Sequence, residues 1–142
     1  MPASHPYRII YPLPMNTTLL NSRAVRAAVL LVWAGAAIAL YADSVSHGKE
    51  IFDTKCAKCH ALDKDKEGPR LRDIFGRRAA SVSPFEYSDA LKASNISWNE
   101  ISLNTWLTEP DKMVPDNNMA FHLDSGADRK AVIAYLKSLS GK

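Results

Sequence analysis

Five residues, Cys56-Ala57-Lys58-Cys59-His60, restrict this chain more than any other stretch, because they set two thiols one helical turn apart and follow the second with an imidazole. On a helix that separation puts both sulfurs on one face, where each can add across one of the two vinyl groups of a haem. The histidine next in line can then swing beneath the ring as an iron ligand. Other uses of the pair compete. A redox dithiol has the same spacing, and half a zinc site would too, but zinc wants a second ligand pair and the sequence has no third cysteine. A disulfide between the two would close a very small loop. The pentapeptide alone favours haem attachment and leaves a redox or metal pair open.

Upstream, residues 27–42 read A-A-V-L-L-V-W-A-G-A-A-I-A-L-Y-A, sixteen residues without a charge, preceded by Arg23 and Arg26. A charged start, a short apolar run and small residues at its end describe a secretory signal. Cleavage after Ala39 or after Ala42 would fit. The run falls short of the ~20 residues of a comfortable membrane span but lies near the low end of the range, so an uncleaved anchor is the alternative. A buried core helix is disfavoured, since the run has no polar stripe. Before it, Pro2, Pro6, Pro12 and Pro14 break any periodicity, and Met15 opens a more ordinary leader, so residues 1–14 read as an upstream mis-start. The expected organisation is a leader over 1–42 and one domain over 43–142.

Charge follows the same division. The whole chain has 18 Lys+Arg against 15 Asp+Glu, and Arg8, Arg23 and Arg26 supply the entire excess. The domain itself is balanced, which gives no reason to expect nucleic acid as a partner. In an exported domain two free cysteines would oxidise to each other, unless a haem captured them.

The domain reads as a handful of short helices. A first one opens at a Ser46 cap and carries Ile51 and Phe52 inward; His47, near its start, reads as solvated. A charged loop, residues 63–67, reads as solvated surface. Gly68-Pro69 marks a turn, and Leu71, Ile74 and Phe75 are apolar before Gly76 stops the segment. Residues 84–93 predict a short helix with Phe85 and Tyr87 inward. Residues 98–107 predict another, with Ile101, Leu103, Trp106 and Leu107 apolar. The stretch from Pro110 to Phe121 cannot be a helix, with Pro115 inside it. Ser125-Gly-Ala-Asp128 matches a capping box, and Ala131, Val132, Tyr135, Leu136 and Leu139 recur at helical spacing beyond it. So few short helices leave a thin core that a haem of large apolar area would fill.

These ordered elements resemble the class I cytochromes c from Ser46 to Ser140. The resemblance implies an all-α fold of about four to five short helices wrapped around one covalently attached haem, with the terminal helices crossing at Gly48 and Phe52 against Val132 and Tyr135. It implies haem c held through Cys56 and Cys59, with His60 as proximal iron ligand and Pro69 packed on it while a backbone carbonyl receives the imidazole N–H. Arg77, Tyr87 and Trp98 would meet the haem carboxylates. Met119 would be the second iron ligand, with Phe121 beside the exposed haem edge. Ligand chemistry agrees, because a thioether favours ferrous iron and raises the potential; Met113 reads as packing, and His122 would give a bis-histidine site of lower potential.

Several positions depart from the family pattern. The loop from His60 to Gly68 is shorter than in mitochondrial members, which points to a bacterial relative. Trp106 replaces a tyrosine that usually hydrogen-bonds the methionine sulfur, so that bond is expected to be absent. Leu91 replaces an asparagine, and Asn117 and Asn118 replace threonine and lysine. The implied function is non-enzymatic one-electron transfer by a monomer between exported or membrane-bound redox proteins of a respiratory chain, in the bacterial periplasm or anchored to the inner membrane facing it. Lys55, Lys58 and Lys112 would flank the haem edge. Two rivals stand beside it: a haem enzyme or gas sensor with an open distal site, and a tethered subunit of a larger oxidase or dehydrogenase.

Overall fold

A computed structural model describes residues 23–141 of the chain. The reading of residues 1–14 as a mis-start lies outside the described residues. The chain divides into two compact units, one ending at Ala37 and one beginning at Ile38. Helix α1 (Arg23–Ile51) begins in the first. There Leu30, Leu31, Val32 and Trp33 are all about 70% exposed, so no described residue covers the apolar run. By length and composition this helix is apolar enough to cross a membrane. Both candidate cleavage points, Ala39 and Ala42, lie within its bounds.

The second unit is all-α among the described residues, its one extended pairing being an isolated antiparallel bridge between Arg78 and Ser97. Ser46 does not open a helix, because α1 runs through it. The helix rewinds at its end into a π-helical turn, Phe52–Cys56, closed by Ala57 N–H donating to Phe52 O at 2.8 Å. Wide turns of this kind cluster at functional positions, and this one delivers Cys56.

Local chemistry moves the expected helix limits. Helix α2 (Asp89–Ala93) starts only after Ser88, whose hydroxyl accepts from Leu91 N–H. Phe85 and Tyr87 therefore precede it and pair edge-on, with ring centroids 4.8 Å apart. Helix α3 (Glu100–Thr108) is opened by a capping box between Asn99 and Ser102. Leu103, Trp106 and Leu107 share the inward face of α3, and Ile101, about half a turn away from them, is 80% exposed. A fourth helical turn, α4 (Pro110–Met113), was not expected: proline at the first position needs no N–H partner and starts a helix as readily as it breaks one. The backbone leaves helical geometry at Val114, ahead of Pro115. Helix α5 (Gly126–Ser138) begins at Ser125, which accepts from Asp128 N–H as the spacing predicts.

The core is one cluster in which Ile51 and Phe52 meet Trp98, Trp106, Val132, Tyr135 and Leu136. Phe52 and Tyr135 stack at 5.7 Å, and Val132 is 1% exposed. Gly48 makes the crossing of α1 and α5 close: a Cβ there would lie 2.0 Å from Ala131 O and 2.8 Å from Tyr135 Cβ.

Candidate functional site: a haem attachment segment and a methionine loop

Cys56 ends the π-helical turn, and its carbonyl accepts from both Cys59 N–H, at 3.1 Å, and His60 N–H, at 2.9 Å. The backbone thus bends so that two free thiols and an imidazole emerge from one turn. A redox dithiol needs a thiol with a depressed pKa. Both thiols here move the other way. Burial pushes Cys56 up to about 11, and the Glu67 carboxylate beside the Cys59 sulfur, 3.3 Å away, raises that thiol as well. Neither thiol therefore has the depressed pKa that a redox dithiol requires.

His60 is held in one tautomer. Its Nδ1 lies 2.8 Å from Pro69 O, and a carbonyl only accepts, so Nδ1 carries the proton and Nε2 keeps its lone pair. Burial lowers the pKa of the ring, keeping it neutral at physiological pH. The carbonyl expected nearby is that of Pro69 itself. Gly68 makes room for the ring: a Cβ there would stand 2.3 Å from His60 Cε1 and 2.6 Å from Nδ1. Gly68 N–H is meanwhile tied to Cys59 O at 2.8 Å. The charged loop before it is fastened as well as solvated, with Asp63 paired to Arg72, Asp65 to Arg70 and Lys66 to Ala57 O. Two thiols, a neutral imidazole with a free nitrogen and a backbone cradle behind it form a donor set that fits a covalently held haem.

Met119 lies against Trp106. The indole N–H of Trp106 donates to Met119 Sδ at 3.0 Å. The hydroxyl-to-sulfur bond of the family is absent, as expected, and the indole N–H takes its place as donor. The indole is 6% exposed and held edge-on to Trp98 at 5.4 Å. Met113 and Phe121 pack against the same apolar cluster as Met119 and Cys56. His122 faces solvent, 3.4 Å from Asp124, and His47 lies 3.4 Å from Asp128.

Arg77, Trp98 and Tyr87 are brought into one neighbourhood. Trp98 N–H donates to Arg77 O at 2.9 Å, and Gly76 N–H donates to Trp98 O at 2.8 Å. The Arg77 guanidinium turns inward and donates to the carbonyls of Arg72 and Arg70 at 3.0 and 2.9 Å. Burial lowers the Arg77 pKa and raises that of Tyr87, each offset in part by the other's charge. Sequence reasoning missed two fastenings of the methionine loop. Asn117 accepts from Met119 N–H, and Arg129 donates to the carbonyls of Leu123 and Asp124. The first is a local bond of the kind asparagines make two residues on; the second carries no spacing signal.

Comparison with known proteins agrees with this arrangement. A family model described as cytochrome c matches residues 45–140. The chain is 41% identical to a cytochrome c of Gibberella zeae over 97 residues, covering 66% of this chain and 92% of that one. It is 44% identical to a cytochrome c of Tetrahymena pyriformis over 96 residues, covering 66% and 87%. Among solved structures, cytochrome cH from Methylobacterium extorquens superimposes with a TM-score of 0.64 at 33% identity, covering 66% of this chain and 97% of that one. With the attachment cysteines and histidine standing where that family needs them, the chain belongs to the class I cytochromes c, electron carriers with covalently bound haem c.

Proposed function

We propose that this protein carries single electrons with His60 and Met119 as the two axial ligands of its haem, in an exported compartment and between redox proteins of a respiratory chain. The observation that carries the reading is the Trp106 N–H to Met119 Sδ bond at 3.0 Å. A thioether has two lone pairs; a donor on one orients the other without consuming it. Haem supplies the one-electron couple of its iron. The protein's own residues do the rest. His60, neutral and anchored to Pro69 O, presents Nε2. Phe52, Trp98 and Leu136 exclude water from the core. Arg77, Tyr87 and Trp98 are proposed to receive the haem carboxylates, and Phe121 to border the exposed edge.

Two replacements test the ligand. Met119→Ala should abolish the sulfur-to-ferric-iron absorption band and lower the midpoint potential by on the order of 100 mV, against a range of ~0.8 V that axial ligands span. Met113→Ala should leave both intact. Survival of the band in Met119→Ala with its loss in Met113→Ala would refute the assignment. Trp106→Phe keeps an aromatic ring in the core while removing the N–H together with part of the indole. An N–H on the sulfur withdraws electron density and weakens its donation to ferric iron more than to ferrous. Its loss should therefore lower the potential, by roughly 20–60 mV for one net hydrogen bond of about 0.5–1.5 kcal/mol.

Residues 1–42 are proposed as the export leader and 43–142 as the working domain, a monomer in the bacterial periplasm. The exposed apolar face of α1 supports membrane insertion. Export with cleavage predicts a soluble protein whose N-terminus is Leu40 or Asp43. Full-length protein retained by membranes after carbonate washing would instead make the helix a permanent anchor. The working domain carries 15 basic against 15 acidic residues. Its encounter with partners should therefore depend only weakly on salt, even with Lys55, Lys58 and Lys112 exposed.

A further inference from the structure

We propose that Asn117 is a positioning residue that latches the loop carrying Met119 and so sets how readily the sulfur leaves its place; the proposal rests on Met119 being an iron ligand. Both the nitrogen and the oxygen of the Asn117 amide are engaged. Its Nδ2 donates to Asp111 Oδ1 at 2.8 Å and to Val114 O at 2.9 Å, and its Oδ1 accepts from Met119 N–H at 2.7 Å. One half-buried side chain therefore ties α4, the end of that helix and the backbone of Met119 into a single unit.

The rest of the loop shows why such a tie matters. Just upstream, Asp116 sits at φ +62°, a left-handed conformation that a residue with a side chain adopts at some cost. Downstream the loop is fastened independently: Leu123 N–H donates to Leu107 O at 2.8 Å, and Arg129 Nη1 donates to Leu123 O and Asp124 O at 2.6 and 2.8 Å. Met119 thus lies between a backbone-fixed exit and an entry held through the Asn117 side chain. Opening that entry frees the Met119 N–H and lets the loop swing about its fixed end. The Trp106 bond orients the sulfur, whereas the latch governs whether the loop is closed at all.

The test uses the ferric holoprotein and imidazole as an external ligand. Imidazole binds only where the sulfur has left, so its apparent affinity scales with the open fraction. Asn117→Ala should bind imidazole about ten- to hundredfold more tightly, the shift expected for one or two net hydrogen bonds. Asn117→Asp keeps the acceptor for Met119 N–H but loses both donors and sets a carboxylate against Asp111, so it should bind imidazole at least as tightly. The double variant Asn117→Asp/Asp111→Asn restores a donor between the two positions and should recover much of the wild-type value. If Asn117→Ala fails to load haem, the comparison of the Asp single with the double carries the same test. Variants within twofold of wild type, with the sulfur-to-iron band present, overturn the latch. So does a double variant no closer to wild type than the Asp single. If wild type itself lacks the band and binds imidazole as tightly as Met119→Ala, it is the ligand assignment that has failed.

Discussion

Alanine at Gly68 is expected to unseat the His60 ring. The added methyl would stand 2.3 Å from His60 Cε1, 2.6 Å from Nδ1 and 2.8 Å from Nε2, inside contact distance of three ring atoms at once. The ring cannot retreat cheaply, because its Nδ1–H is bound to Pro69 O at 2.8 Å and its backbone N–H to Cys56 O at 2.9 Å. Nor can Gly68 retreat, since its own N–H is bound to Cys59 O at 2.8 Å. Overpacking costs typically 1–3 kcal/mol when soft side chains yield. A planar ring held at both ends should put Gly68→Ala at or above the top of that range. The expected result is a sharply reduced yield of holoprotein and, in what forms, a disturbed spectrum. Full loading with a wild-type denaturation midpoint would show that the turn has slack the geometry does not display.

Gly48→Ala is expected to destabilise the fold by about 3–5 kcal/mol without touching the haem ligands. Here the obstacle is backbone: the new methyl would lie 2.0 Å from Ala131 O and 2.5 Å from its carbonyl carbon, so α5 must shift away from α1. That shift would open the Phe52–Tyr135 stack and expose Val132, the most deeply buried residue of the core. Guanidinium denaturation of the holoprotein measures the loss. Gly126→Ala is the control, because a methyl there meets only the tip of Arg129, at 3.5 Å, and should cost little or nothing.

Gly48 was legible in the sequence through the family resemblance, and Cys56, Cys59, His60, the turn at Gly68 and the helical spacing of Ala131 to Leu136 were legible in the residues themselves. They are legible because their information is local: a five-residue spacing, a glycine-proline turn, a period of 3.6. Elements whose limits depend on a single cap were placed less well. Asn99 and Ser88 decide where α3 and α2 begin, and those single caps set limits that periodicity alone does not. Ser46 has the chemistry of a cap, yet the apolar run upstream carries the helix through it. Some hydrogen bonds across the fold were not legible. Trp106 and Met119 are thirteen residues apart, and that an indole N–H could replace a phenolic hydroxyl depended on where the ring lands after packing on Trp98. Asn117 read as a departure from the family turn, because nothing in its spacing says that its amide meets Asp111, Val114 and Met119 together.

A redox titration of the purified protein, followed through its visible spectrum, tests the central claim most directly. Closed ligation by His60 and Met119 predicts a single one-electron transition, a haem that stays with the polypeptide on acid-acetone extraction, and a sulfur-to-iron band in the ferric protein at neutral pH. Loss of the haem to the solvent, or a ferric spectrum without that band and with rapid uptake of cyanide, would contradict it.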